Sequence, residues 1–143
     1  MKMTELDINI MGVPQGYYLA HGISRDLNFK VGLPALFEKQ YDLKEKLNTF
    51  YDRCSGGIDI GKAYLIDNVF SLVAKDSSYD APDRDMLFDA IVDMRDQMEE
   101  RLVTKLAIPK ICCGRGGLEW DDVKSMFEFA FGDSDVQILV CVQ

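Results

Sequence analysis

Basic residues, histidine and long apolar runs are all scarce in this 143-residue sequence. Lysine and arginine number 16 against 24 aspartates and glutamates, for a net charge of −8. Binding duplex nucleic acid requires a basic patch that tracks phosphates; none is visible, so that class of partner is not expected. No apolar stretch approaches the ~20 residues that a membrane-spanning helix requires. The longest, Ile138–Val142, has the length of a buried strand, and no membrane association is expected. The opening residues MKMTELDINI lack the apolar core of a signal peptide, so secretion is not expected either. Cys54, Cys112, Cys113 and Cys141 show neither zinc nor disulfide spacing, and read as reduced thiols of a cytoplasmic protein without a bound metal. The single histidine, His21, has no nucleophile and acid at triad spacing, and reads as a hydrogen-bonded core residue.

What remains is ordinary for a soluble globular chain, with 48% hydrophobic and 28% charged residues in a length suited to one compact domain, 1–143. Leu6–Met11 alternates like a strand and is broken by Gly12-Val13-Pro14; Tyr17–His21 reads as a short buried strand. Gly22–Leu33 is polar and bracketed by glycines, as a loop would be. Pro34 then suits the first turn of a helix carrying Leu36, Phe37, Tyr41, Leu43, Leu47, Phe50 and Tyr51, ended by Cys54-Ser-Gly-Gly57. Ala63–Ile66 and Val69–Ala74 are apolar runs separated by Asp67-Asn68, which is either a hairpin turn or a kink in one strand. After a loop at Lys75–Asp80, Pro82 opens a helix reaching about Val103. Its Leu87, Ile91, Met94, Met98 and Leu102 step by four, three, four and four, one apolar face in which methionine is core filler. Leu106–Pro109, a helix over Asp121–Phe131 and a strand over Val136–Val142 complete an alternation that predicts an α/β fold with helices on both faces of the sheet.

Three places carry candidate chemistry. Ile108–Asp122 (IPKICCGRGGLEWDD) runs from a strand through a glycine-rich turn into the acidic start of a helix. Gly114, Gly116 and Gly117 permit close approach to backbone N–H groups at a positive helix end, which suits a phosphate. On spacing alone, a plain tight connection remains the alternative, with Asp121 and Asp122 serving the helix dipole. The turn is neither a Walker loop, since no Gly-Lys-Ser/Thr follows, nor a dinucleotide fingerprint. Lys75 directly follows a buried strand, at the end where open α/β sheets bind ligands. It is either a nucleophile toward a sugar anomeric carbon or a solvated lysine paired with Asp76. Ser24, Asn28 and Gly32 lie in the loop after the second strand, and either contact a ribose or satisfy the loop's own backbone.

Three blocks together resemble one known family. LAHGISRDLNFKVGLPALF (Leu19–Phe37), FSLVAKD (Phe70–Asp76) and IPKICCGRGGLEWDDV (Ile108–Val123) are similar to the macro domain family. The likeness is concentrated in the branch containing terminal ADP-ribose protein glycohydrolase and the DNA ADP-ribosyl glycohydrolase antitoxins. The resemblance implies a three-layer α/β/α macro domain with a mixed central sheet that binds ADP-ribose or an ADP-ribosylated substrate as a monomer, with no cofactor. It places Ser24 and Gly32 in the first ligand loop. It also places Lys110 to Gly117, with Cys113, Gly114, Arg115, Gly116 and Gly117 foremost, around the diphosphate and distal ribose. Lys75 matches the branch's nucleophilic lysine, which implies hydrolysis of ADP-ribosyl linkages.

Two departures from that pattern are expected to matter. Many macro domains carry an aspartate just after the first strand for the adenine amino group, and here that position falls in Gly12-Val13-Pro14. The protein-deconjugating glycohydrolase keeps an acid in the second loop where this chain has Gly116, whereas the antitoxin-type members resemble this chain. Proton transfer would then fall to Asp76, Glu119 or a water. Processing of ADP-ribose-1″-phosphate by a phosphatase, and non-catalytic binding of ADP-ribose or a related nucleotide signal, are the alternatives to hydrolysis.

Overall fold

The computed structural model describes residues 1–51 and 57–143. The helix stop expected at Cys54 and the state of that thiol lie outside the described residues. Six strands form one sheet: β1 (Lys2–Leu6), β2 (Tyr18–Ser24), β3 (Ala63–Ile66), β4 (Val69–Lys75), β5 (Lys105–Ile108) and β6 (Gln137–Cys141). Their order is β1-β6-β5-β2-β4-β3, and every neighbouring pair is parallel except the β3–β4 hairpin. The mixed sheet between helical layers agrees with the α/β expectation.

Alternation along the strands supplies both layers. Ala20, Phe70, Leu72, Leu106, Ile108, Ile138 and Val140 pack with α3 (Arg84–Glu100) and α4 (Trp120–Phe131), through Leu87, Ile91, Met94, Met98, Val123 and Phe127. Leu19, Ile23, Val69, Val73, Ala107 and Leu139 pack on the other face with Phe37, Leu43 and Leu47 of α1 (Gly32–Tyr41) and α2 (Leu43–Tyr51). Burial on both faces is why the central strands read as nearly continuous apolar runs.

Several boundaries differ from the sequence expectation. The first strand is Lys2–Leu6 and not Leu6–Met11. As a largely exposed edge strand, β1 has no buried face to imprint an alternation. The Asn9 side chain accepts the Met11 N–H at 2.9 Å and turns Ile10–Gly12 into a 3₁₀ segment. Gly22–Ser24, expected to be loop, extends β2. The single helix expected from Pro34 is two, because Asp42 takes φ 54°. Its N–H closes on Glu38 O, and the Glu38 carboxylate accepts the Lys44 N–H of the next helix. Asp67, at φ 54°, makes the β3–β4 connection a tight hairpin and removes the kink alternative. Asp83, and not Pro82, caps α3 by accepting the Met86 N–H at 3.0 Å. Leu102 does not continue the apolar face: it holds φ 56° just past the helix and is 87% exposed. The Val103 N–H returns to Met98 O there, a reversal that a glycine usually makes.

Candidate functional site

Parallel pairing brings the carboxyl ends of β4, β2 and β5 side by side, the edge at which open α/β sheets form clefts. A cavity of about 490 Å³ opens there. It is lined by Gly22–Ser24, Asn28 and Val31 from the β2–α1 connection, by Ala74, Lys75 and Ser78–Pro82 from the β4–α3 connection, and by Cys112 and Gly114–Gly117 from the β5–α4 connection. That volume is in the usual range for a small-molecule site.

The first two walls are tied to each other. The β2–β4 register slips between Ile23 and Ser24, so Ser24 pairs with Lys75, and this irregularity shapes the strand ends where they meet the cavity. Arg25 and Asp26 donate backbone N–H groups to Lys75 O and Asp76 O at 2.9 and 3.1 Å. The Asp26 carboxylate accepts from the Ser24 hydroxyl, from Asn28 N at 3.1 Å and from Ser78 N at 2.9 Å. These bonds, the Ser24 hydroxyl foremost, hold the Asp26 carboxyl below the usual range by favouring its ionised form. Lys75, half-buried at the strand end, donates Nζ–H to Ser78 O at 3.3 Å. The Lys75–Asp76 pair weighed from sequence does not form, since Asp76 accepts Arg25 at 2.8 Å.

The third wall is the glycine-rich turn. Cys112 sits at φ 60° and Gly116 at φ 72°, so the chain doubles back on itself. Gly117 N–H closes on Gly114 O at 2.9 Å, and Leu118 N–H on Cys112 O at 2.7 Å. A Cβ on Gly117 would lie 2.2 Å from Cys112 O, so no other residue fits this conformation. The N–H groups of Gly114, Arg115 and Gly116 have no backbone partner among the described residues. With α4 starting at Trp120, the turn leaves these N–H groups close to a helix N-terminus, an arrangement that suits an anion.

Of the residues expected to form the site, Lys75, Ser24, Gly114, Arg115, Gly116 and Gly117 converge on the cavity, and Asn28 joins them. Gly32 and Cys113 are not among the lining residues. Gly32 instead opens α1 at φ 69°, while Val31 and Pro34 beside it face the cavity. The Cys113 thiol turns back to Ile111 O at 3.2 Å, and it is Cys112 that lines the site. Lys110 reaches across the Trp120 ring, 5.9 Å from its centroid. Neither Asp76 nor Glu119 lines the cavity; the lining carboxylate is Asp80, which the sequence reading passed over. Asp26 was also missed, although the Asp26–Asn28 turn bond is a pattern that Ser-Arg-Asp-Leu-Asn permits. His21 lies in the core, its Nε2 2.7 Å from Ser71 Oγ and its ring stacked on Phe37 at 4.1 Å. Burial pushes its pKa down to about 3.

Moving the first strand also corrects the expected gap at Gly12-Val13-Pro14. β1 ends at Leu6, so the residue that follows it is an aspartate, Asp7, at the carboxyl edge shared with the cavity. Among the described residues, no cluster of His, Cys, Asp and Glu is suited to a metal ion, and no helix is long and apolar enough to cross a membrane.

No protein-family model matches the chain. It is 28% identical over 143 residues to ADP-ribose glycohydrolase OARD1 of Homo sapiens, an alignment covering 97% of this chain and 90% of that protein. Among solved structures, the macrodomain of Thermus aquaticus DarG matches with a TM-score of 0.84 at 17% identity, over 99% of this chain and 98% of that one. Thermosipho africanus DarTG in complex with ADP-ribose matches with a TM-score of 0.78 at 16% identity, over 97% of this chain and 41% of that one. With its sheet order and nearly its whole length matched in this way, the chain has the fold of these macrodomains.

Proposed function

We propose that the chain binds ADP-ribose in the cavity at the carboxyl edge of the sheet and hydrolyses ADP-ribosyl linkages with Lys75 as nucleophile. The observation that carries this reading is the meeting of a half-buried lysine and a glycine-rich N–H nest on one cavity of about 490 Å³. The nest and Arg115 suit the diphosphate, and Lys75 suits the distal ribose. Asp7, which follows β1 at the same edge of the sheet, suits the adenine amino group. The similarity to the human glycohydrolase supports the same ligand.

The chemistry needs only residues of this chain and water. Nζ of Lys75 attacks C1″ of the distal ribose, and the C1″–X bond breaks with its electron pair leaving on X. The adduct opens as the C1″–O4″ electrons move to the ring oxygen, giving an iminium. Water adds to C1″ and the C–N bond breaks, which returns the lysine and releases ADP-ribose. The net change is ADP-ribosyl–X plus water to ADP-ribose plus HX. Asp80, the lining carboxylate, takes the lysine proton and supplies it to X, the role that Gly116 cannot fill. On this reading the protein works as a cytoplasmic monomer without metal or cofactor.

Isothermal titration with free ADP-ribose tests binding, and no heat at millimolar ligand would sink it. Borohydride treatment during turnover, followed by mass spectrometry, tests the chemistry through a covalent adduct on Lys75. Gly116 supports a second reading, a non-catalytic ADP-ribose-binding module. Tight binding with neither turnover nor adduct identifies it, whereas phosphate release from ADP-ribose-1″-phosphate without an adduct identifies a phosphatase.

A further inference from the structure

Cys112 is held from two sides. Its carbonyl accepts Leu118 N–H at 2.7 Å and occupies the space that a Gly117 side chain would need. On the other side its Sγ fills the space that a side chain on Gly22 would take: a Cβ there would lie 2.8 Å from Cys112 Sγ and 3.4 Å from Ile111 Cγ2. Gly22 is not at positive φ, so the β2 backbone itself does not demand glycine. The demand comes from the sulfur. Cys112, by contrast, accepts a left-handed φ of 60° to direct its side chain there. Both residues line the cavity, and the Lys75 charge acts on the Cys112 thiol. Burial pushes that thiol up to about 12, so it stays protonated and neutral beside the lysine.

We infer that Gly22 and Cys112 form a size-matched pair that seats the glycine-rich turn on the end of β2, so that Cys112 is a positioning residue for the turn's contact with the ligand diphosphate. This rests on the ADP-ribose reading above. A larger residue at position 22 lifts the turn away from Lys75. A smaller one at position 112 lets it sink and drift, and enlarging position 22 while reducing position 112 restores the seat in part.

The test is a double-mutant cycle of Gly22→Ala, Cys112→Gly and the pair, read by ADP-ribose affinity and by urea unfolding of the full chain. Gly22→Ala is expected to weaken ADP-ribose about tenfold or more, and adding Cys112→Gly to recover about fivefold of that loss. Titration at a urea concentration at which every variant is folded separates positioning from stability. Additive effects of the two substitutions on affinity overturn the inference. Coupling in the unfolding midpoint alone, with affinity unchanged across the four proteins, also overturns it by showing a purely structural contact. If the wild-type protein gives no heat with ADP-ribose, the ligand reading fails separately. The packing of the pair is then judged on unfolding alone, where equal midpoints for wild type and Gly22→Ala would refute it.

Discussion

Asp26 and Ser78 stand 52 residues apart in sequence, yet the Asp26 carboxylate accepts the Ser78 backbone N–H at 2.9 Å. One side chain thereby fastens the wall that carries Ser24 to the wall that carries Lys75. Asp26 is exposed, so its replacement removes this bracing without opening a hole in the core. Asp26→Ala is expected to fold normally by circular dichroism and to bind ADP-ribose about tenfold more weakly in calorimetry. The depressed carboxyl pKa sets the direction with pH. Bracing is complete above the ordinary carboxylate value and is lost as the pH falls through the lower, folded value. Wild-type affinity should therefore decline in acid while Asp26→Ala, already unbraced, declines less; equal affinities at neutral pH would remove the bracing role.

Lys75 and Asp80 are expected to separate in kinetics. Lys75→Ala loses the nucleophile and should abolish turnover of an ADP-ribosylated substrate, while ADP-ribose affinity stays within about tenfold, ~1.4 kcal/mol. Full activity in that variant rejects the nucleophile. Asp80→Asn keeps the Ser77 N–H bond that the carboxylate accepts at 3.1 Å, but cannot carry a proton. A fall in kcat of about a hundredfold at little-changed KM is expected. An unchanged kcat would return proton transfer to solvent.

Legibility in the sequence followed burial. β2, β4, β5 and β6 were readable because both of their faces are covered, which writes short apolar runs into the chain. β1 was displaced because an exposed edge strand constrains few of its residues, and that displacement hid Asp7 behind an apparent gap. Asp42, Asp67 and Leu102 each hold positive φ without being glycine, so no local signal marked the turns that they make. Within the site, Lys75 and the glycine-rich turn were visible as a strand end and a composition. The Asp26–Ser78 bond and the Gly22–Cys112 contact depend on which loops meet across the sheet edge, and pairings of that kind leave no spacing to read.

The glycines of the turn are expected to differ sharply. A Cβ at Gly117 would lie 2.2 Å from the Cys112 carbonyl oxygen and 3.0 Å from that of Gly114, both backbone atoms that cannot step aside. A Cβ at Gly114 would meet nothing within 4 Å. Gly117→Ala should therefore rebuild the turn and reduce ADP-ribose affinity by about a hundredfold. Gly114→Ala should cost clearly less. Calorimetry on the two variants decides the matter, and equal losses would mean that the turn recognises its ligand by composition and not by this conformation.

His21 makes the stability of the fold depend on pH in a window that it alone among side chains of its type can set, since the chain has a single histidine. Its Nε2 meets Ser71 Oγ, and its Nδ1 has no partner among the described residues, so a proton added there would be buried without compensation. Burial pushes the pKa from 6.5 down to about 3 in the folded protein. Between those two values the unfolded chain takes up a proton that the folded chain refuses. Stability is thus greatest above about pH 6.5, falls by ~1.4 kcal/mol per pH unit below it, and levels near the folded value. Urea unfolding should lose about 2 kcal/mol between pH 7 and pH 5 from this group. His21→Gln keeps a polar partner for Ser71 but does not titrate, so it should be less stable at pH 7 and lose about 2 kcal/mol less over the same interval. Equal losses in the two proteins, or a histidine ring resonance that titrates near pH 6.5 in the folded state, would show that the ring is not sealed from solvent.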